Sequence, residues 1–255
     1  MKKIYNSIIM LSMAFVIFSC GDDETPLPLP TVNFAVDPSV VEVGLPIMFD
    51  NLSTNADNYE WDFGGALTST DISPIVTFET PGTFDVTLRA FTQDGQVDSV
   101  TRQVRVRQRI LTGIFVNTFP IMNGDEQWDP DETNQDSVFA DIFLQFLPND
   151  PANIDGVVAG PVDEVTEGFG LNIDPNLNEV ILTDDDWSLR LFDFDGDDPN
   201  DVNEDNTEFM IGVQFNPVQA ITFKNDDGDA GFISILFQDP QTGDIIDVDL
   251  TFQLE

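Results

Sequence analysis

From residue 31 onward, apolar and polar positions alternate in short runs, and no helical period of 3.6 persists for long. Runs rich in Val, Ile, Phe and Thr are separated by clusters of Gly, Pro, Asn and Asp, which predicts short antiparallel strands packed as sandwiches. Phe84, Val86, Leu88 and Ala90 alternate with polar residues, and Val104 and Val106 do likewise. The last run is the most regular. Ile246, Val248, Leu250, Phe252 and Leu254 alternate with Asp247, Asp249, Thr251 and Gln253, so one set faces a core and the other faces out. The expected fold class is all-β, with two β-sandwich domains. Their seam is expected at Arg107-Gln108-Arg109, where a basic strand ends and the apolar run Ile110–Val116 begins; 255 residues suffice for two cores.

The first residues follow a different pattern. Lys2 and Lys3 precede an almost unbroken apolar stretch from Ile4 to Phe18. It is too short for a comfortable membrane span, which needs about 20 apolar residues, but suits a signal-peptide core, assigned to residues 1–19. Val16-Ile17-Phe18-Ser19-Cys20 resembles the lipobox of bacterial lipoproteins, with a small residue before the cysteine. The resemblance implies acylation of Cys20 and an anchor that holds the protein to a membrane without spanning it. Gly21-Asp22-Asp23-Glu24 resembles the signal that sends lipoproteins to the outer face of the outer membrane in Bacteroidota-type bacteria. Residues 20–30 then read as an acidic and Pro-rich linker, with Pro26-Leu27-Pro28-Leu29-Pro30 extended as a semi-rigid stalk.

Charge and composition narrow the function. The formal net charge is −38, and beyond the first three residues Lys224 is the sole lysine. Such a field repels nucleic acid and anionic lipid surfaces. Cys20 is the only cysteine, so the chain after the signal holds no disulfide, and histidine is absent altogether. Ser-His-Asp and Cys-His hydrolases and histidine-ligated zinc enzymes are therefore excluded, because each needs an imidazole as base or ligand. Carboxylate chemistry, as in glycosidases, stays available. No one pair of acids stands out among the 47.

Residues 31–107 resemble a PKD domain, an immunoglobulin-like sandwich. Val43-Gly44-Leu45-Pro46-Ile47-Met48-Phe49 is similar to the family's opening strand. Tyr59-Glu60-Trp61-Asp62-Phe63-Gly64 is similar to its "Y-x-WDFG" signature. Ser73-Pro74 through Phe78, followed by Thr80-Pro81-Gly82-Thr83-Phe84-Asp85-Val86-Thr87-Leu88, is similar to its "PGTY-x-VTL" strand. Trp61 is expected in the core, Pro81-Gly82 in a turn, and Asp62 bonded to backbone in the turn that follows it. The family's "WDFGDG" is replaced by Gly64-Gly65-Ala66 after the phenylalanine, which weakens any polar site in that loop. The resemblance implies a display or contact module and not catalysis.

Residues 110–255 resemble a C2-like, calcium-binding sandwich. There an aspartate ends one loop just before a strand, as Asp141 does before Ile142-Phe143-Leu144, and an Asp-x-Asp opens a second loop, as Asp193 and Asp195 do after Trp187-Ser188-Leu189-Arg190-Leu191-Phe192. Glu208 stands before Phe209-Met210-Ile211-Gly212 where the family has aspartate, and Asp129 is the candidate for an earlier loop ligand. The implied metal set is Asp129, Asp141, Asp193, Asp195 and Glu208, holding Ca2+ in a structural role. Independently of the family, calcium takes 6–8 oxygen ligands, and an Asp-x-Asp pair repels itself unless a cation lies between the carboxylates. An EF-hand loop starting at Asp193 fails, because Asp198 occupies the sixth position where that loop needs glycine. Asn225-Asp226-Asp227-Gly228-Asp229 reads as a hairpin turn.

These readings lead to a non-catalytic binding, adhesion or display protein on the cell surface, with polysaccharide or another surface protein as partner. Alternatives are an enzyme or accessory subunit in polysaccharide degradation, for which Trp128 and Trp187 are candidate sugar-stacking residues, and a structural spacer with no ligand.

Overall fold

The computed structural model describes residues 28–65, 67–122, 124, 128, 141–149, 156–162, 165, 168–174, 179–194 and 207–255. No helix occurs among them; the chain is all-β. The first eight strands are β1 (Phe34–Asp37), β2 (Val41–Glu42), β3 (Pro46–Asn51), β4 (Asn58–Asp62), β5 (Thr68–Ser69), β6 (Ile75–Thr77), β7 (Gly82–Phe91) and β8 (Val97–Arg107). They form a sheet of order β1-β3-β6 facing one of order β2-β8-β7-β4-β5. All pairings are antiparallel except the short β2–β8 ladder, which is parallel and sets Val41 beside Val106 and Glu42 beside Arg107.

The period-2 pattern explains the core between them. Val86, Leu88 and Ala90 on β7 are wholly buried, as are Ile47 and Phe49 on β3. Trp61 fills the centre: its ring stacks on Phe63 at 5.8 Å and meets Phe34 and Phe49 edge-on. Its indole Nε1 donates to the Asp71 carbonyl at 3.0 Å, so the one polar atom of this buried ring is satisfied. The Gly64 amide donates to Asp62 Oδ1 at 2.9 Å, the local turn bond expected of that aspartate.

The remaining strands are β9 (Arg109–Thr118), β10 (Ile142–Pro148), β11 (Val157–Val162), β12 (Phe169–Asn172), β13 (Ile181–Leu182), β14 (Trp187–Phe194), β15 (Thr207–Phe215), β16 (Thr222–Lys224), β17 (Ala230–Gln238) and β18 (Ile245–Leu254). One sheet runs β11-β10-β14-β15; the other runs β12-β9-β18-β17-β16, with β13 also paired to β9. Their inner faces enclose a second core, in which Phe146 packs on Trp187 at 4.7 Å and stacks on Phe215 at 5.9 Å. β18 shows the strict alternation of its sequence, with Ile246, Val248, Leu250, Phe252 and Leu254 buried. The Asn225–Asp229 segment is a hairpin turn: Asn225 and Ala230 are backbone-bonded at 2.9 Å, and Gly228 has φ +70°.

Only Gln108 separates β8 from β9. Its amide and carbonyl both bond to Glu255, which ties the junction to the end of β18.

Candidate functional site

Three places carry concentrated chemistry: the junction between the sandwiches, the Asp193 end of the four-stranded sheet, and the outer face of the six-stranded sheet.

At the junction, β2 positions Glu42 against the start of β9. Glu42 and Arg109 are both almost fully buried, and Arg109 Nε donates to Glu42 Oε2 at 2.7 Å. Arg109 Nη1 donates to the Pro217 carbonyl at 2.6 Å and to Thr222 Oγ1 at 3.1 Å, while its guanidinium lies over the Phe252 ring. Lys224 ion-pairs with the other oxygen of the same carboxylate. Two cations from the second sandwich thus converge on one acid from the first. Beside them, Gln219 Nε2 donates to the Gly44 carbonyl at 3.3 Å and to Asp184 Oδ1 at 2.9 Å. A cleft of about 330 Å³ opens next to this contact, bounded by Glu79, Arg107, Asp184 and Asp185.

The expected calcium ligands divide. Asp141 lies half-buried just before β10, and Asp193, near the end of β14, is wholly buried with its side chain on the core-facing side. The structure brings these two together: the Asp141 amide donates to Asp193 Oδ1 at 3.0 Å, and the Phe194 amide donates to the Asp141 carbonyl at 2.9 Å. Glu208 stands opposite Asp193 in the β14–β15 register but is exposed. Asp129 and Asp195 lie outside the described residues, as does Cys20. Among the described residues no three acidic side chains converge to hold a metal. Asp141 and Asp193 carry the carboxylate oxygens that a hard cation takes as ligands, but the contact between them runs through the Asp141 backbone.

The two tryptophans considered for sugar stacking are core residues. Trp187 has no exposed surface, and Trp128, 7 % exposed, spends its indole N–H on the Pro120 carbonyl. Aromatic rings reach solvent elsewhere. On the outer face of the six-stranded sheet, Phe223 (51 % exposed) pairs in register with Phe232 (38 %), and the rings stack at 4.9 Å. Phe232 faces Thr251, and Thr251 faces Gly113, across the next two strands. One step along, Asp249 faces Phe115, and Phe115 faces Gly170. Asn117 Nδ2 donates to Asp249 Oδ2 at 3.0 Å, and Thr112 donates to Thr251 at 3.0 Å between the hydroxyls. Sequence reading passed over these phenylalanines. Their signal was parity: Phe232 falls out of step with the buried Ile233 and Ile235, so it faces outward.

Residues 28–107 match the PKD domain family, and the first sandwich is a PKD domain. Similar solved structures include the first PKD domain of Vibrio anguillarum Epp, 25 % identical, covering 32 % of this chain and 96 % of that one with a TM-score of 0.28. The first PKD domain of the Vibrio cholerae metalloprotease PrtV is 28 % identical, covering 31 % and 98 % with a TM-score of 0.27. A structure from work on the promiscuous specificity of carbohydrate-binding modules of the β-sandwich superfamily is 12 % identical, covering 89 % and 93 % with a TM-score of 0.31. No curated protein matches the chain.

Proposed function

We propose that this chain is a lipid-anchored cell-surface protein that binds and does not catalyse. Its PKD domain spaces a second β-sandwich from the membrane, and that sandwich presents the ligand surface. The observation that carries this reading is the stacked, solvent-exposed Phe223–Phe232 pair beside hydrogen-bonding side chains on the broad outer face of the six-stranded sheet. Single exposed apolar residues are ordinary, but a stacked aromatic pair on a polar face marks a contact surface. The absence of histidine leaves no imidazole for proton transfer at neutral pH.

In this reading Cys20 carries the acyl chains, and the acidic residues after it direct the protein to the outer face of the outer membrane. Calcium is held at the Asp193 end of the sandwich, with Asp141 beside it and Asp129, Asp195 and Glu208 as further ligands. Support comes from the meeting of Asp141 and Asp193 at one end of the sandwich, where the Asp141 amide donates to Asp193. The role is structural: the ion joins loops that otherwise repel one another.

The test has two arms. Cells expressing the protein are labelled with a palmitate analogue and treated with external protease. The expected result is a labelled, protease-accessible protein, with both label and membrane retention lost in Cys20→Ala; an unlabelled protein or one shielded from protease overturns the surface reading. In the second arm, melting is followed with calcium and with chelator. A calcium-dependent rise in Tm that disappears in Asp193→Asn plus Asp195→Asn is expected. No shift at millimolar calcium removes the ion.

A further inference from the structure

On the reading of the second sandwich as a binding module, we propose that the outer face of its six-stranded sheet binds an uncharged polysaccharide chain lying across the strands. The residues are Phe223 and Phe232 at one end, Phe115 at the other, and Asp249, Asn117 and Thr251 between them.

Phe115 is built as a platform. A Cβ added at Gly170 would stand 2.6 Å from Phe115 Cδ1, and one added at Gly113 would stand 2.9 Å from Cε2. The ring therefore lies down over two positions where a side chain is missing, one on its own strand and one on the neighbouring β12. Phe115 is intermediate in burial, so part of its ring reaches solvent. β17, β18 and β9 are successive neighbours, so Phe232 and Phe115 are separated by two strand spacings, roughly 10 Å at about 4.8 Å each, and by a further two residues along the strand. Phe223 extends the first platform one strand further.

The strip between the rings is polar and mixed. Asp249 accepts from Asn117 through Oδ2, while its Oδ1 is shielded from solvent and has no hydrogen-bond partner among the described residues. Thr251 adds a hydroxyl that both donates and accepts.

Charge selects the class of ligand. The net charge of −38, with Asp247 and Asp249 on the face itself, repels sulfated or uronate-rich chains. A basic peptide would also be drawn in by the charge, and the oligolysine contrast in the test separates it from a polysaccharide. Sugars have apolar C–H faces that lie on aromatic rings and hydroxyls that exchange bonds with carboxylate, amide and hydroxyl groups. That alternation along one extended chain matches two ring platforms flanking a polar strip.

The test uses the chain from residue 20 onward, made soluble by Cys20→Ser, in native gels containing β-glucan, xylan, mannan or α-glucan, with alginate and an oligolysine peptide as contrasts. Retardation by at least one uncharged polysaccharide is expected, weakened about tenfold or more in Phe232→Ala and in Phe115→Leu. Phe232→Ala is at a solvent-facing position, so an unchanged Tm shows that the loss is one of binding. Lack of retardation across the uncharged panel overturns the proposal, as does retardation indifferent to Phe223→Ala and Phe232→Ala. Phe-dependent binding of oligolysine alone also overturns it, while leaving the binding-module reading intact with a basic protein as partner. Loss of lipid labelling or surface exposure would instead fail the anchoring reading and leave this face untouched.

Discussion

Arg109 Nε and Glu42 Oε2 lie 2.7 Å apart across the boundary between the two sandwiches, with the side chains 3 % and 2 % exposed. The partners are 67 residues apart in sequence, and Lys224, which shares the carboxylate, is 182 residues from it. In a chain with 47 acids and nine bases, two bases are spent on one acid. Burying the Glu42 and Arg109 charges is unfavourable unless each is compensated. Here both carboxylate oxygens are paired, and the guanidinium is satisfied by a carbonyl, a hydroxyl and an aromatic face. The junction is therefore a specific docked contact.

Removing one member of this group should cost far more than removing the pair. Glu42→Leu or Arg109→Met alone is expected to destabilise by about 3–5 kcal/mol, because an uncompensated charge stays buried. The double variant should recover a large part of that loss, so urea unfolding of the full cycle should give a coupling well above 1 kcal/mol. Lys224→Met, at 28 % exposure, should cost only about 1 kcal/mol. Additive single-variant losses would show that the contact does not act as a unit.

Gly44 sits in the turn that inserts into the same junction. Its φ is +76°, and a Cβ there would stand 2.8 Å from Asp184 Cβ on the other sandwich. Gly44→Ala should therefore lower stability by about 2–3 kcal/mol, through backbone strain and a forced shift of Asp184. Gly65 is the control: its φ is +67° with nothing within 4 Å, so Gly65→Ala should cost about 1 kcal/mol. Equal changes in thermal unfolding would remove the docking component.

The PKD core should be most sensitive at its centre. Trp61→Ala removes a wholly buried ring that contacts Phe34, Phe49 and Phe63, and an expected loss of about 3–5 kcal/mol follows. Trp61→Phe keeps part of the packing but strands the Asp71 carbonyl, so its cost should be intermediate. Chemical denaturation of both variants checks the order.

One loop should show a definite pH response. Asp94 accepts from the Thr92 hydroxyl and from Gln96 Nε2, and these bonds hold its carboxyl below the ordinary value of 3.8. A carboxyl depressed by folding stabilises the fold above its unfolded pKa and loses that contribution as pH falls through the folded one. The contribution should be constant from neutral pH to about 3.8 and fade below it. A carbon-detected NMR titration should place the Asp94 midpoint under that value, and Thr92→Ala should raise it. A midpoint at or above 3.8 in the unaltered chain would refute the effect.

The sequence by itself determined whatever depends on near neighbours along the chain. Strict alternation in β18 implied one buried and one open face, and the Trp61-Asp62-Phe63-Gly64 run placed a core ring and a turn bond. The Asn, Asp and Gly content of 225–229 specified a hairpin. These are properties of period and of local backbone preference, and a reader of the chain has both. What only the tertiary structure decided is which of many equivalent residues meet. Trp187 and Trp128 went to the core while Phe115, Phe223 and Phe232 took the outer face, because strand register, and not residue type, assigns a side. Glu42 was one acid among 47 until the parallel β2–β8 ladder set it against the start of β9. Its selection comes from long-range docking, in which many small packing terms fix a position that no local pattern encodes.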